Sequence, residues 1–341
     1  MIDRRALLKA SAVAPWVSGL APAARSQTRT TGPFEVVVAE KLDLQDRVRN
    51  RKAPTRVYYP AATGRYPVII FSHGFGGSLS AFANTGRNWA SHGYVVIHPT
   101  HADSVQFPDP SAPAGDIAII RQNLVLRDAA DAATRAGLVR LLEKPFYLAS
   151  RLQDISFIQE GLRKGLPNLD DEIVKRCDLE RQGMAGHSFG AYTTLVVSGS
   201  TLVPPSASPA PGGFASGLAI SGQGAGRMGL NEASFGGITR PLMAVTGTRD
   251  FGAAGETPPW RLEAFDRAPP GRKYAVVVEG FAHMDFDPAA TDPNHDKGDA
   301  LRRVQVAFWN ASLKGDSAGW ADLDRQAGIS KSTDAIWLRR R

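Results

Sequence analysis

The stretch Met184-Ala185-Gly186-His187-Ser188-Phe189-Gly190-Ala191 constrains this chain more than any other. A strand-like approach from Arg181 leads into it, and Ala191-Tyr192-Thr193-Thr194-Leu195-Val196-Val197 leads out as the opening of a helix. A serine between Gly186 and Gly190 at such a junction has the form of a nucleophile elbow, where the hydroxyl stands exposed on a sharp, strained turn. Glycine is required on both flanks because a Cβ there would meet the neighbouring strand or helix. A serine hydroxyl alone is a poor nucleophile, so the pattern gains meaning only if the chain also supplies a base. An orienting carboxylate and backbone donors must be found at matching places too.

The rest of the chain alternates as such a fold requires. Phe34–Val38 and Arg56–Tyr59 read as two early strands with charged loop residues between them. Tyr66-Pro67-Val68-Ile69-Ile70-Phe71-Ser72 is a continuous apolar run, as expected of a strand buried on both faces. It runs into His73-Gly74-Phe75-Gly76-Gly77, then a helix with Phe82 and Trp89 inward, then the strand Tyr94–Pro99. Strand, glycine loop, helix, strand is the signature of a parallel sheet with right-handed crossovers. Residues 103–145 interrupt it with Pro108, Pro110 and Pro113 and a helix expected over Asn123–Leu142, read as an insertion on the carboxyl edge. Leu152, Ile155, Ile158 and Leu162 recur at helical spacing, with Arg151 and Asp154 three apart as an expected structural ion pair. Beyond the elbow, Gly217–Ser221, Pro241–Thr246 and Lys273–Glu279 read as strands, the last of them closing the sheet, and Ala300–Leu313 as an amphipathic helix. Neither repeats nor a second composition regime appear, so the expected organisation is one α/β domain over residues 28–341.

In an open α/β sheet the reacting groups gather beyond the carboxyl ends of the strands. Ser188, Asp250 and His283 each fall at such an end, in the order Ser, Asp, His that belongs to the α/β-hydrolase arrangement. His283 is therefore assigned as the base and Asp250 as the carboxylate that fixes its tautomer. Asp285 and Asp287 lie close to His283 in sequence, but neither follows a strand. Negative charge on a tetrahedral intermediate calls for backbone N–H donors. Phe189, directly after the nucleophile, is one; Phe75, in the glycine loop after Ser72, is the other, with His73 bracing that loop. Gly224-Ala225-Gly226-Arg227-Met228-Gly229 matches a dinucleotide fingerprint only formally, because no convincing helix follows to receive a pyrophosphate. His98, His101 and Asp103, or Asp292, His295 and Asp296, lack zinc-site spacing, and His101 is expected to line the pocket. The expectation is therefore a site with no cofactor and no metal.

The N-terminus carries a different message. Asp3-Arg4-Arg5 precedes a short apolar stretch and Ala21-Pro22-Ala23-Ala24, which together read as a twin-arginine export signal over residues 1–27. The apolar stretch, holding Pro15 and Gly19, is too short to span a bilayer. The segment carries Arg4, Arg5, Lys9 and Arg25 against Asp3, a net +3, which leaves +4 of the chain's +7 after cleavage. So mild a surplus, with no basic stripe interleaved with aromatics, argues against a nucleic-acid partner. Arg339-Arg340-Arg341 reads as a solvated tail. Cys177 is the only cysteine, expected upstream of the elbow strand, so no internal disulfide can form. The expected partners are the twin-arginine export machinery and an ester substrate, with a periplasmic or secreted destination.

With these residues in view, the chain resembles the serine α/β-hydrolases of the bacterial group related to platelet-activating-factor acetylhydrolase and dienelactone hydrolase. The resemblance rests on Phe71–Gly77, Ala90–Val96, Arg151 with Asp154, Gly186–Gly190, Asp250 and Gly280–Phe286, and extends from about Pro54 to Leu313. It implies cofactor-free hydrolysis of carboxylic esters through an acyl-enzyme and supports Phe75 and Phe189 as oxyanion donors. Dienelactone hydrolases proper use cysteine where this chain has Ser188, which disfavours a dienelactone substrate. The same triad would also serve an amidase, a peptidase, an acyltransferase or a polyester hydrolase. A non-catalytic binding protein on a hydrolase scaffold is a further alternative, opposed by the complete Ser-His-Asp set. Small-molecule, lipid and polymer esters are all open.

Overall fold

The computed structural model describes residues 31–126, 131–327 and 336–341; the segment read as an export signal lies outside the described residues. The strands are β1 (Val36–Asp46), β2 (Arg51–Pro60), β3 (Tyr66–Ser72), β4 (Val95–Pro99), β5 (Cys177–His187), β6 (Phe214–Ile220), β7 (Leu242–Arg249), β8 (Lys273–Ala282) and β9 (Ile336–Arg340). They form one sheet in the order β1-β2-β4-β3-β5-β6-β7-β8-β9. From β4 to β8 all pairs are parallel; β1, β2 and β9 join antiparallel at the two edges. The helices are α1 (Ala83–Ser91), α2 (Asp116–Leu126), α3 (Ala132–Leu142), α4 (Pro145–Lys164), α5 (Asp171–Arg176), α6 (Phe189–Val197), α7 (Glu263–Arg267), α8 (His295–Leu313) and α9 (Ser317–Ala327). Short 3₁₀ turns occupy Glu232–Gly237 and Pro258–Leu262. This is the α/β-hydrolase architecture.

The two-sided apolar strands explain the layering. Along a strand, side chains alternate between faces. Ile69 and Phe71 join Trp89 of α1 and Leu301, Val304 and Trp309 of α8 on one face. Val68 and Ile70 join Ile155, Ile158 and Leu162 of α4 on the other. A strand with a helix layer on each face has no solvent side, so its polar alternation disappears. Among the described residues, no helix is long and apolar enough to cross a membrane.

Several expectations need correction. The region read as charged loop between the first two strands is itself strand: after a bulge between Ala39 and Leu42, β1 pairs on to Asp46. Leu44 is buried while Asp43 and Gln45 on either side of it point outward, as suits an edge strand. The helix expected over 123–142 is two helices, and α3 starts at Ala132, capped by Asp131, whose side chain accepts the Thr134 N–H at 2.7 Å. Local alanine content cannot reveal such a cap-driven break. Cys177 is the first residue of β5 rather than upstream of it. Nor does β8 close the sheet. Ile336 and Leu338 send apolar side chains into the core from β9. Arg339 and Arg340, read as solvated tail, lie in that strand and pair with Asp266 and Asp324.

Candidate active site

The carboxyl ends of β5, β7 and β8 deliver three side chains to one point. Ser188 follows β5 with φ 55° and ψ −117°, a conformation that non-glycine residues rarely adopt. Its N–H is held by Ile220 O at 2.9 Å, and α6 begins at the next residue. The flanking glycines are sterically obligatory. A Cβ on Gly190 would lie 1.9 Å from Ser72 O, and one on Gly186 would lie 2.3 Å from the Gly190 backbone. Gly190→Ala is therefore expected to destabilise the protein by about 3 kcal/mol or more, since backbone must move on both sides. Chemical denaturation of the purified variant would measure it; a shift below about 1 kcal/mol would mean that the elbow is looser than drawn.

His283 follows β8 and reaches Ser188 Oγ through Nε2 at 2.9 Å; its Nδ1 lies 2.9 Å from Asp250 Oδ1. Asp250, next after β7, is fully buried, whereas a third of the His283 side chain is exposed. Burial opposes the Asp250 charge, but the His283 hydrogen bond and the Arg261 guanidinium outweigh it and take its pKa down to about 2. An ionised Asp250 accepts the Nδ1–H of His283 and leaves Nε2 free to take a proton from Ser188. Asp285 is engaged elsewhere, accepting the Ala282 N–H at 2.7 Å. Asp287 accepts from Thr85 N–H and Oγ1 at 2.8 and 2.7 Å at the start of α1.

Three contributors escaped sequence reasoning. Ser221, at φ 58° just after β6, donates to Asp250 Oδ1 at 2.9 Å and sits 2.8 Å from His283 Nδ1. Thr246 donates to Asp250 Oδ2 at 3.0 Å. Arg261, buried in the 3₁₀ turn, binds the carbonyls of Ser221, Gly222 and Phe251 at 2.9–3.3 Å and stands 3.5 Å from Asp250 Oδ1. Only a strand-end rule applied to Ser221 would have flagged any of them. His187, on the elbow itself, donates through Nε2 to His283 O at 2.7 Å. Burial and the neighbouring His283 lower its pKa to about 3, so it stays a neutral brace.

The loop after β3 brings Phe75 beside the nucleophile turn, with the Phe75 and Phe189 rings 5.1 Å apart. The Phe75 N–H has no protein acceptor among the described residues. Phe189 occupies the first turn of α6, where N–H groups lack helical acceptors. Neither N–H is engaged by a protein acceptor among the described residues. A cavity of about 720 Å³ opens over Ser188 and His283, walled by Phe75, Ile120, Leu124, Leu138, Leu142 and Trp260. The helices of the 103–145 insertion thereby form one side of the site. His101 does not line this cavity, contrary to expectation: it is wholly buried, held by Ser72 and Asp154. Arg151 and Asp154 do not pair with each other. Arg151 binds Asp103, and Asp154 binds His101, Arg49 and Arg51. The stretch from Gly224 is a turn, with Trp260 Nε1–H on Ala225 O at 2.9 Å and only a short 3₁₀ segment after it.

An elbow serine, a strand-end histidine and a buried carboxylate thus lie in one hydrogen-bonded chain on an α/β-hydrolase sheet. A family model described as platelet-activating factor acetylhydrolase, isoform II, matches residues 44–107, from the end of β1 past the glycine loop and β4. Platelet-activating factor acetylhydrolase of Cavia porcellus is 30% identical over 155 residues, covering 42% of this chain and 34% of the relative. A putative phospholipase A2 of Schizosaccharomyces pombe is 28% identical over 169 residues, 42% of this chain and 37% of that protein. Platelet-activating factor acetylhydrolase of Canis lupus familiaris is 25% identical over 251 residues, 67% of this chain and 49% of that protein. The chain thus spans between a third and a half of the length of these curated relatives. The fold is that of the α/β-hydrolases, and over these stretches the sequence is similar to platelet-activating factor acetylhydrolase.

Proposed function

We propose that the chain is an exported serine hydrolase that cleaves carboxylic esters through an acyl-enzyme, with residues 1–27 as export signal and 28–341 as one catalytic domain. The reading rests above all on the unbroken contact chain Ser188–His283–Asp250, with both links at 2.9 Å. Ser188 Oγ attacks the ester carbonyl carbon while its proton passes to His283 Nε2. The carbonyl oxygen becomes an oxyanion facing the N–H groups of Phe75 and Phe189. Asp250 holds Nδ1–H and stabilises the imidazolium. As the intermediate collapses, the C–O bond to the alcohol breaks and His283 returns the proton to the leaving oxygen. Water then attacks the acyl-enzyme by the same route, releasing the acid and restoring Ser188.

Relatives named as an acetylhydrolase and a phospholipase support an ester bond as the target. The largely apolar cavity suits an acyl or alkyl group beside it. The test combines labelling and turnover. One equivalent of a fluorophosphonate is expected to attach at Ser188, mapped by peptide mass, and to abolish hydrolysis of p-nitrophenyl esters ranging from acetate to palmitate. Labelling elsewhere, or turnover that survives full labelling of Ser188, would overturn the proposal.

A further inference from the structure

Beneath the glycine loop lies a second Ser-His-Asp chain that the proposed reaction does not use. Ser72 Oγ is 2.9 Å from His101 Nε2, and His101 Nδ1 is 2.8 Å from Asp154 Oδ2. Its connectivity repeats that of Ser188, His283 and Asp250, yet it has no reactive outlet. Ser72, His101 and Asp154 are each 0% exposed. Burial and the adjacent Arg151 guanidinium hold His101 well below its ordinary pKa, which favours the neutral imidazole. Its task must lie in what it holds.

What it holds is the loop that carries Phe75. Arg151 Nη1 donates to Ser72 Oγ at 2.9 Å and to His73 O at 2.6 Å, and Nη2 donates to Gly74 O at 3.3 Å. Asp103 receives Arg151 side-on, Nε to Oδ1 at 3.0 Å and Nη2 to Oδ2 at 2.7 Å. The same Oδ2 accepts the Gly76 N–H at 2.7 Å, and the Gly76 carbonyl accepts from Val105 at 3.1 Å. His73 takes the His101 N–H on Nε2 at 3.0 Å and gives its own Nδ1–H to Gly74 O at 2.7 Å. The polar groups flanking Phe75 are therefore tied down, while Phe75 lines the cavity with its own N–H unclaimed by a protein acceptor among the described residues. Arg151 reaches the second donor as well: its guanidinium carbon stands 4.7 Å from the Phe189 ring centroid.

We infer that Asp103 and Arg151 are positioning residues that set the oxyanion hole, locking the Phe75 and Phe189 donors in place before substrate arrives, with Ser72, His101 and Asp154 supporting Arg151 from below. The inference rests on the esterase reading and adds to it the part of the chain that prepares the transition-state site. Its energetic sense is preorganisation: donors already aimed at the developing charge need no rearrangement during reaction. A guanidinium fork can hold two carbonyls, a hydroxyl and a carboxylate at once, which a lysine ammonium cannot match.

The test uses Asp103→Asn and Arg151→Lys in the full chain, with circular dichroism and melting checks, on p-nitrophenyl butyrate and an alkyl trifluoromethyl ketone. The ketone adds to the nucleophile as a tetrahedral oxyanion and so reads the hole directly. Displacing a donor by about 1 Å is expected to lower kcat roughly a hundredfold with KM changed less than about threefold. Ketone affinity should fall by a matching factor, while fluorophosphonate still finds Ser188. A folded Asp103→Asn variant with kcat within about twofold of native would overturn the inference. So would a loss confined to KM, or a loss of kcat without loss of ketone affinity. If neither variant folds, Ser72→Ala decides in their place: a severalfold fall in both quantities supports the inference and no change overturns it. Absence of Ser188-dependent turnover in the native protein is a different failure: the esterase reading falls, and this inference with it.

Discussion

Ser188→Ala is expected to reduce kcat for p-nitrophenyl butyrate by roughly 10⁴- to 10⁶-fold, because the proposed acyl-enzyme route loses its nucleophile while the rest of the site stays intact. Residual catalysis above the solution rate should persist, since the proposed donors at Phe75 and Phe189 would still polarise a bound carbonyl. KM should barely move. The fold should tolerate alanine, which keeps a Cβ in the same cramped turn. Glycine at this position should do more than tolerate it: at φ 55° and ψ −117° a side chain carries strain of about 1–3 kcal/mol that Ser188→Gly would release. An inactive glycine variant with a raised melting temperature is thus expected beside an inactive alanine variant with a nearly native one. An alanine variant keeping a tenth of native activity would remove Ser188 from the mechanism.

The part of this site that can be read from sequence is the part tied to regular structure. Ser188, Asp250 and His283 each follow an apolar strand, and a parallel sheet sends successive strand ends to the same edge. The glycine loop after Phe71-Ser72 was legible for the same reason. Ser221 also follows a strand, but its contribution depends on a positive φ that turns the hydroxyl toward Asp250, and its composition gives no sign of that turn. Arg261 belongs to a 3₁₀ turn with no periodicity to place it. The pairing of Arg151 shows the limit most plainly. Helical spacing can only offer local partners, so Asp154 looked like the natural one. In three dimensions the two side chains leave α4 for different tasks, one toward the glycine loop and one toward Arg49 and Arg51 of the β1–β2 hairpin. Sheet edges behaved likewise. The buried centre announces itself by two-sided hydrophobicity, whereas β1 and β9 carry charges on their open sides and resemble loop and tail.

Asp250→Asn should lower kcat by about 10³- to 10⁴-fold, and the crowding around that carboxylate explains why a neutral isostere fails. Oδ1 accepts from both Ser221 and His283 Nδ1, and Oδ2 accepts from Thr246. If the nitrogen of the substituted amide faced His283, two donors would meet unless the imidazole moved its proton to Nε2, where it could no longer take one from Ser188. If the amide oxygen faced His283, the nitrogen would meet Thr246, whose hydroxyl can turn to accept it. That orientation keeps the useful tautomer but removes the negative charge. Arg261, with Nη2 3.3 Å from His283 Nδ1, would then oppose the imidazolium with no carboxylate between them to offset it. Either way the transition state loses its counter-charge. Ser221→Ala, which leaves the carboxylate in place, should cost only about tenfold. Asp285→Asn and Asp287→Asn provide the comparison, because both carboxylates lie near His283 in sequence but serve backbone and α1 contacts. A kcat loss in either that equals the loss in Asp250→Asn would transfer the orienting role to it; a loss about a hundredfold smaller in both would leave Asp250 as the carboxylate that the His283 imidazolium relies upon.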